Sequence, residues 1–312
     1  MFKRIRRIII RVTKEIIGIV EILRAIILKT LFPERILLVK AWVRTFLGKT
    51  SHYNWGDDLN VFFLSLATGK KVVIYPDTYV ARFLRVKNYM CIGSLVSSHS
   101  MKDSIVWGTG VLNDVKAGSL KDEPYKIAAV RGPLTKKWLE SQGIECPAVY
   151  GDPALLLPLF YKPQKIEHYK MGIVPHYSDM DNSNVRRLLK RDGVRLIQMR
   201  DYIHWQDVID EISACDFIIS SSLHGLIVAE AYGIPAIWVE FKEYVSGWEY
   251  KFYDFYASIG KENSSYIKIE DDMDVEKLEE IVQKWSPGKI DLKPLLNSCP
   301  FELKINEREE LK

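Results

Sequence analysis

The chain has 312 residues, enough for two domains of ordinary size, and its 47% hydrophobic and 27% charged residues are typical of a globular protein. Its net charge of +4 arises in one segment, because residues 1–32 carry eight basic and two acidic residues and the remaining chain has a net charge of −2. This balance argues against a nucleic-acid partner, and four widely separated cysteines without a Cys-x-x-Cys pair argue against a zinc site or a disulfide framework and favour a reducing compartment.

Residues 2–32 are predicted to form one amphipathic helix, with isoleucine-rich and basic faces. Charges throughout the segment exclude the run of about 20 apolar residues that a spanning helix needs, and they also break up a signal peptide. A basic amphipathic helix is typical of a segment lying on an anionic membrane surface, here the inner face of the cytoplasmic membrane. A helix packed on the domain, or a dimer interface, is the alternative.

Residues 33–157 are predicted to form a first α/β domain. Short apolar runs indicate strands at 36–43, 72–75, 89–92, 104–107 and 126–130. The sequence Asn-Trp-Gly-Asp-Asp at residues 54–58 precedes a helix, where the glycine permits a tight turn and either aspartate can cap the helix. Gly108 and Gly110 follow the fourth strand. Without a third glycine they are weak evidence for a dinucleotide, and they more simply allow the backbone to approach a ligand or another loop.

Arg131 stands between the last strand of this domain and a helix that begins at Pro133. This position is suited to binding an anion with both arms of the guanidinium. A salt bridge to Asp152 or another acid is the alternative. The sequence Gly-Asp-Pro at residues 151–153 is predicted to form the interdomain hinge, followed by a linker marked by Pro158 and Pro163.

Residues 158–288 are predicted to form a second α/β domain, and residues 289–312 a C-terminal segment with a charged tail. Strands are expected at 171–174, 194–198, 217–219 and 237–239, and helices at 185–189, 205–215, from Leu223 onward, and 275–285. Residues 247–256 are rich in aromatic side chains. They are predicted to pack in the core, or to stack on sugars beside Lys251.

Three serines and a histidine, residues 220–224, lie between the strand at 217–219 and the next helix. The strand, this helix and the following strand form a parallel crossover, and ligands of such units bind at the carboxyl end of the strand, where the helix presents free N–H groups. Hydroxyls, backbone donors and an imidazole suit an anionic ligand. Helix-capping serines and a packed histidine are the alternative.

The sequence Ser-Ser-Leu-His-Gly at residues 221–225, followed by Ala-Glu-Ala-Tyr-Gly-Ile-Pro, resembles the signature of polysaccharide pyruvyl transferases, which move a pyruvyl group from phosphoenolpyruvate onto a sugar as a ketal. The resemblance extends over roughly residues 50–260 and includes the motifs at 54–57, 108–110, 151–153 and 251–254. Many members carry arginine at the position of Ser222. Another cation must therefore bind the donor carboxylate, or the donor differs.

Alternating strands and helices in two halves predict an α/β protein with two Rossmann-like domains facing a cleft, and the resemblance implies the same glycosyltransferase-B-like fold. We expect phosphoenolpyruvate as donor substrate, no cofactor or metal, and a saccharide acceptor from a bacterial surface polysaccharide or its lipid-linked precursor. The candidate catalytic residues are the proton donor His224 and the acceptor-side base Asp57. Candidate donor-binding residues are Arg131, Ser220, Ser221, Ser222 and Lys251. Candidate acceptor or cleft residues are Asn54, Gly56, Gly108, Gly110, His176, Glu240 and Trp248.

Two other functions remain open from the sequence. The same cleft would serve a glycosyltransferase that uses a nucleotide sugar as donor. The other alternative is an inactive domain that the basic helix recruits to a membrane as an assembly partner. Ser222, in place of arginine, is the feature that supports it.

Overall fold

The structure, a computed structural model, describes residues 2–113, 120, 122–164 and 167–305, with backbone alone for residues 2–12 and 14. The strands are β1 (Ile36–Val39), β2 (Thr45–Phe46), β3 (Lys49–Thr50), β4 (Lys71–Ile74), β5 (Asn88–Met90), β6 (Ser104–Trp107), β7 (Lys126–Ala129), β8 (Tyr169–Val174), β9 (Val194–Leu196), β10 (Cys215–Ser220), β11 (Ala236–Glu240) and β12 (Ile267–Lys268). The helices are α1 (Phe2–Leu31), α2 (Trp55–Thr68), α3 (Tyr79–Phe83), α4 (Pro133–Ser141), α5 (Ser183–Leu188), α6 (Trp205–Ser213), α7 (Leu223–Ala231), α8 (Tyr250–Ser258), α9 (Val275–Val282) and α10 (Lys293–Asn297), with a 3₁₀-helix at Pro153–Leu159.

Two five-stranded parallel sheets organise the described chain. The first has the order β4-β1-β5-β6-β7, and the second has the order β12-β11-β10-β8-β9. Their central strands are buried on both faces, which explains why they appear in the sequence as continuous apolar runs. The prediction of an α/β protein with parallel strands is confirmed, while the domain boundaries at residues 33, 158 and 289 stay predictions.

The predicted hinge and linker after Asp152 form part of the core. Residues 154–157 of the 3₁₀-helix are buried and pack against α7 in the same apolar cluster as Leu226 and Ile227. This stretch therefore contributes its alanine and leucines to the core, while its assignment as an interdomain hinge and linker stays a prediction.

The chain returns to the first sheet after α9. Trp107 donates from Nε1 to the carbonyl of Leu295 at 2.9 Å, and Phe301 packs its ring against Trp107 with centroids 5.4 Å apart. The backbone N–H of Lys304 bonds to the carbonyl of Ala67. The predicted C-terminal segment is thus packed on the first half up to this point, and residues 306–312 of the predicted charged tail lie outside the described residues.

Helix α1 packs one side of its second half on the first sheet. Ile22 and Ala25 are buried in a cluster with residues of β1 and β4. The alternative of a helix packed on the domain therefore holds for this part of α1. Within the described residues no helix has both the length and the apolar character needed to cross a bilayer.

A buried ion pair joins the two halves of the chain. Asp254 of α8 accepts hydrogen bonds from Arg131 Nε at 3.0 Å and, at the start of α4, from Thr135 through its backbone N–H at 2.8 Å and its hydroxyl at 2.6 Å. Arg131 uses its other nitrogens to donate to Ser94 Oγ and to the carbonyl of Val111, each at 2.7 Å. Both charged side chains are fully buried.

Glycines make this close packing possible. A Cβ atom at Gly132 would lie 1.9 Å from the carbonyl oxygen of Asp254, and one at Gly110 would lie 2.6 Å from the guanidinium carbon of Arg131. Gly108, with φ of +89°, would place a Cβ atom 2.3 Å from Cδ of Pro153. The Gly-x-Gly motif therefore packs one part of the protein on another.

We predict that Asp254→Asn lowers the free energy of unfolding by about 3–5 kcal/mol, because it leaves the buried Arg131 charge without a counter-charge. Denaturant titration of the full chain measures the loss. Asp272→Asn is the matched control, since Asp272 pairs with Lys277 on the surface and its side chain is 71% exposed. Equal stability of the two variants would contradict the role given to the buried pair.

Candidate functional site

A cavity of about 350 Å³ lies where the carboxyl ends of strands from both sheets meet. Of the predicted site residues, those that line it are Asn54, Asp57, His176, Ser222, His224, Trp248 and Lys251. The other predicted residues lie outside the lining and are Gly56, Gly108, Gly110, Arg131, Ser220, Ser221 and Glu240. Concave sites with convergent polar groups at this edge of parallel sheets are the usual position for a ligand.

His224 lies in the first turn of α7 and packs directly on Gly56. A Cβ atom at residue 56 would lie 2.0 Å from His224 Nδ1, so only glycine leaves room for the ring. His224 Nε2 is buried without a hydrogen-bond partner among the described residues. Burial, and then the positive charges of Lys251 and Arg131, lower the pKa of His224 to about 3, so the imidazole is neutral near pH 7.

Asp152, which the sequence placed in the hinge and offered as a salt-bridge partner of Arg131, lies beside His224. Its Oδ1 accepts the N–H of Ala154 at 3.0 Å and caps the 3₁₀-helix. Its Oδ2 is buried without a partner in the described chain and lies 4.0 Å from His224 Nε2, which also lacks one. Burial raises the pKa of Asp152 to about 7. Unpaired buried polar atoms are uncommon in folded proteins, so this pair is a candidate site of ligand binding or proton transfer.

Lys251 is a buried cation at the cavity wall. Its Nζ lies 3.4 Å from the ring centroid of Trp248, and we find no hydrogen bond from this ammonium to another described residue. Burial, and then the charge of Arg131, lower the pKa of Lys251 to about 7. A desolvated ammonium with free donors is suited to an anionic ligand.

Asp57 lies at the start of α2 and lines the cavity together with Lys251. Asn54 donates from Nδ2 to its carboxylate. Burial, and then the charge of Asp58, raise the pKa of Asp57 to about 7, although Lys251 opposes this shift. A carboxyl group that titrates near neutral pH can accept or donate a proton during a reaction.

Two of the three serines in the motif hold loops in place. Ser220 Oγ donates to the carbonyl of Val174 at 2.9 Å and accepts the N–H of Ser222. Ser221 Oγ donates to Asp179 at 2.7 Å and accepts the N–H of His176 at 2.9 Å. Ser222 lines the cavity as the N-cap residue of α7, and its side chain makes no capping hydrogen bond.

Arg131 and Glu240 do not reach the cavity surface. The guanidinium of Arg131 is enclosed by Asp254, Ser94 and Val111, so the alternative of a salt bridge holds, with Asp254 as the acid in place of Asp152. Donor binding by Arg131 stays a prediction, and its side chain is fully buried beneath the cavity lining. Glu240 is buried at the end of β11, and this burial raises its pKa to about 7.

The solvent-exposed part of the lining, which we call the mouth, includes Trp42, Arg44 and Tyr177, with the half-buried Tyr53 beside them, and the sequence did not single these residues out. The guanidinium of Arg44 lies 3.7 Å over the ring of Tyr53, and Tyr53 lies 5.6 Å from Tyr177, centroid to centroid. His176 packs its ring edge against Trp248 at 4.9 Å, and burial and the charge of Lys251 lower its pKa to about 3. Such a surface of ring faces and polar edges is suited to a sugar. Among the described residues no three His, Cys, Asp or Glu side chains group as metal ligands.

Comparisons with known proteins bear on this site. A family model described as polysaccharide pyruvyl transferase matches residues 46–243, which include the motif at the start of α2 and the motif at the start of α7. An uncharacterised protein of Acanthamoeba polyphaga mimivirus is 30% identical over 224 residues, which are 69% of this chain and 74% of that protein. The succinoglycan biosynthesis protein ExoV of Rhizobium meliloti is 27% identical over 196 residues, 62% of this chain and 58% of that protein.

We predict that Gly56→Ala lowers the free energy of unfolding by about 1–3 kcal/mol, because the new methyl group displaces the His224 ring. The same substitution in a His224→Ala background should cost clearly less, since the ring is then absent. A double-mutant cycle measured by denaturant titration gives this coupling. Equal costs in both backgrounds would show that Gly56 is required for another reason.

Proposed function

Since the chain belongs to the polysaccharide pyruvyl transferase family, we propose that it transfers a pyruvyl group from phosphoenolpyruvate to two hydroxyls of a saccharide, forming a ketal. The observation that carries the proposal is the convergence of His224, Asp57 and Lys251 on one cavity. The reaction requires a proton donor, a proton acceptor and a cationic group, and the cavity supplies one residue for each.

Lys251 and the start of α7 bind the donor. Phosphoenolpyruvate carries a phosphate and a carboxylate, and the Lys251 ammonium has donors free for either group. The N-terminus of α7 adds backbone N–H groups and the positive end of the helix dipole. Lys251 thus takes the place of the arginine that many family members carry at the position of Ser222.

The first chemical step is a proton transfer to the methylene carbon of the donor. In the free protein His224 is neutral, because its pKa is near 3, and the adjacent Asp152, with a pKa near 7, can supply a proton. The negative charge of the bound donor favours the imidazolium form of His224, with Asp152 as the adjacent base that positions and balances it. His224 then delivers the proton, which converts the methylene to a methyl group and leaves an oxocarbenium-like centre at the next carbon.

The remaining steps join the acceptor to that carbon. One sugar hydroxyl attacks as Asp57 takes its proton, and the C–O bond to phosphate then breaks. A second hydroxyl attacks the same carbon and closes the ketal, and its proton leaves with the phosphate. Tyr53, Tyr177 and Trp248 at the mouth hold the sugar rings by stacking.

The place of the reaction is, in this proposal, the inner face of the cytoplasmic membrane. The basic segment 2–32 associates with anionic lipid, and the two parallel sheets act as two Rossmann-like domains of a glycosyltransferase-B-like fold around the cleft. The acceptor is a sugar of a surface polysaccharide or its lipid-linked precursor, in keeping with the role in succinoglycan biosynthesis that the name of the rhizobial relative states.

A thermal-shift screen of the full chain tests the donor. Phosphoenolpyruvate should raise the melting temperature, because it binds the folded state alone, and uridine or guanosine diphosphate sugars should not. His224→Gln should keep this shift and lose about 10²–10⁴-fold in ketal formation, followed by mass spectrometry with saccharide acceptors. A shift with nucleotide sugars alone would identify a glycosyltransferase, and no shift with either would identify a non-catalytic domain.

We predict that Lys251→Met weakens the binding of phosphoenolpyruvate about 10- to 100-fold, the usual effect of removing a hydrogen bond to a charged group. Adding Ser222→Arg to this variant should restore part of the affinity, since both residues face the same cavity. Calorimetry measures the affinity, and Lys268→Met is the control because Lys268 is exposed outside the lining. Unchanged affinity in Lys251→Met would remove Lys251 from the donor site.

A further inference from the structure

Helix α1 has apolar residues on two opposite sides. Between residues 15 and 29, Gly18, Ile22 and Ala25 face the protein and are buried. Ile16 and Leu23 lie on the far side, with 57% and 56% of their surfaces exposed. A buried face explains one row of apolar residues, but no packing among the described residues covers the outward row. Contiguous exposed apolar surface of this kind marks an interaction site.

The tip of the hairpin formed by β2 and β3 has a residue pair that is unusual for a two-residue turn. Leu47 and Gly48 form its two-residue turn with φ of +49° and +81°. Such turns favour Asn-Gly, because a side chain with φ above zero is strained. Leu47 is nevertheless 59% exposed, as is Phe46 beside it. An exposed leucine side chain in this conformation does not stabilise the fold, so we expect the tip to serve an interaction.

The tip is fixed to α1 on one flank of the helix. The N–H of Leu47 donates to Glu21, and a Cβ atom at Gly48 would lie 2.1 Å from the guanidinium of Arg24. Glu21 and Arg24 are one turn apart on the helix and also form a salt bridge at 3.0 Å. The hairpin therefore has a defined position beside α1.

Helix α3 occupies the opposite flank. The N–H of Tyr79 donates to Glu15 at 3.2 Å, and a Cβ atom at Gly18 would lie 2.3 Å from Thr78. Tyr79 and Phe83 on α3 are 63% and 74% exposed. With 100° per residue, the outward row of α1 lies between these two flanks. We call the resulting surface the outer apolar face, and its members are Ile16, Ile19, Val20, Leu23, Ile27, Phe46, Leu47, Tyr79 and Phe83.

We propose that the outer apolar face rests on an anionic lipid bilayer, with the tip of the hairpin inserted beside α1. The charge of the surroundings favours this occupant, since residues 1–32 carry a net charge of +6 and exposed Lys49 and Arg85 adjoin Phe46 and Phe83 along the chain. A second copy of the chain would bring two such positive segments together. The inference rests on the membrane association proposed for residues 2–32, and it adds contacts that fix the orientation of the protein.

The proposed orientation determines where the cavity lies relative to the membrane. Trp42 and Arg44 line its mouth and lead within three residues to the inserted tip at Leu47. The inserted hairpin therefore holds the mouth near the lipid headgroups, where an acceptor anchored in the bilayer would present its saccharide.

The test is sedimentation of the full chain with vesicles that contain 30% phosphatidylglycerol. Phe46→Ser combined with Leu47→Asn should weaken vesicle binding about tenfold, because two inserted apolar side chains are lost. The asparagine suits the left-handed backbone, so the melting temperature should not fall. Ile203→Ser is the matched control, since Ile203 is 78% exposed outside the outer apolar face and should have no effect.

The outcomes separate the inference from the association on which it rests. Leu23→Glu on α1 should also weaken binding. If it does so while the hairpin variant binds like the wild type, the association stands and the role of the hairpin is wrong. If the wild type does not bind vesicles, both the membrane association and the role of the hairpin are wrong. A dimer in ultracentrifugation that the hairpin variant dissociates would show that a second copy covers the face, which would also overturn the proposal.

Discussion

The buried ion pair between Arg131 and Asp254 is the contact on which the candidate site depends. Asp254 lies one helical turn after Lys251 on α8, and its carboxylate fixes α8 against the start of α4 in the other half of the chain. The pair therefore determines where the Lys251 ammonium and the neighbouring Trp248 ring stand in the cavity. Buried pairs of this kind contribute little net stability, but removing one partner is costly, so they define an arrangement more than they strengthen it.

Burial sets the proton chemistry of the cavity. It raises the pKa of Asp57 and Asp152 to about 7 and lowers that of Lys251 to about 7 and that of His224 to about 3. In the free protein His224 is therefore neutral near pH 7, while Asp57, Asp152 and Lys251 titrate around this pH, because burial disfavours each isolated charge. A multiply charged anion that enters the site changes this balance, since it stabilises the cationic forms of Lys251 and His224. In the proposed reaction, binding of the donor and protonation of His224 are therefore one electrostatic event.

The sequence predicted the strands and the motifs better than the contacts between them. Parallel strands buried on both faces have continuous apolar runs, and β6 was predicted with the bounds that the structure has. The hairpin of β2 and β3 was missed because Leu-Gly is an uncommon turn pair. The proximity of Asp152 to His224 and the ion pair of Arg131 with Asp254 could not be predicted, because the two residues of each pair are distant in the sequence. Residues of the mouth such as Tyr53 were missed, because the sequence alone does not distinguish them from ordinary core aromatics.

We propose that the charge of the donor turns His224 into a proton donor with Asp152 beside it. The most direct measurement is the ¹⁵N NMR spectrum of the His224 imidazole at pH 7, with and without saturating phosphoenolpyruvate and without acceptor. We expect a neutral ring in the free protein and an imidazolium in the complex, and a weaker change in the Asp152→Asn variant. A ring that stays neutral when the donor is bound would contradict it.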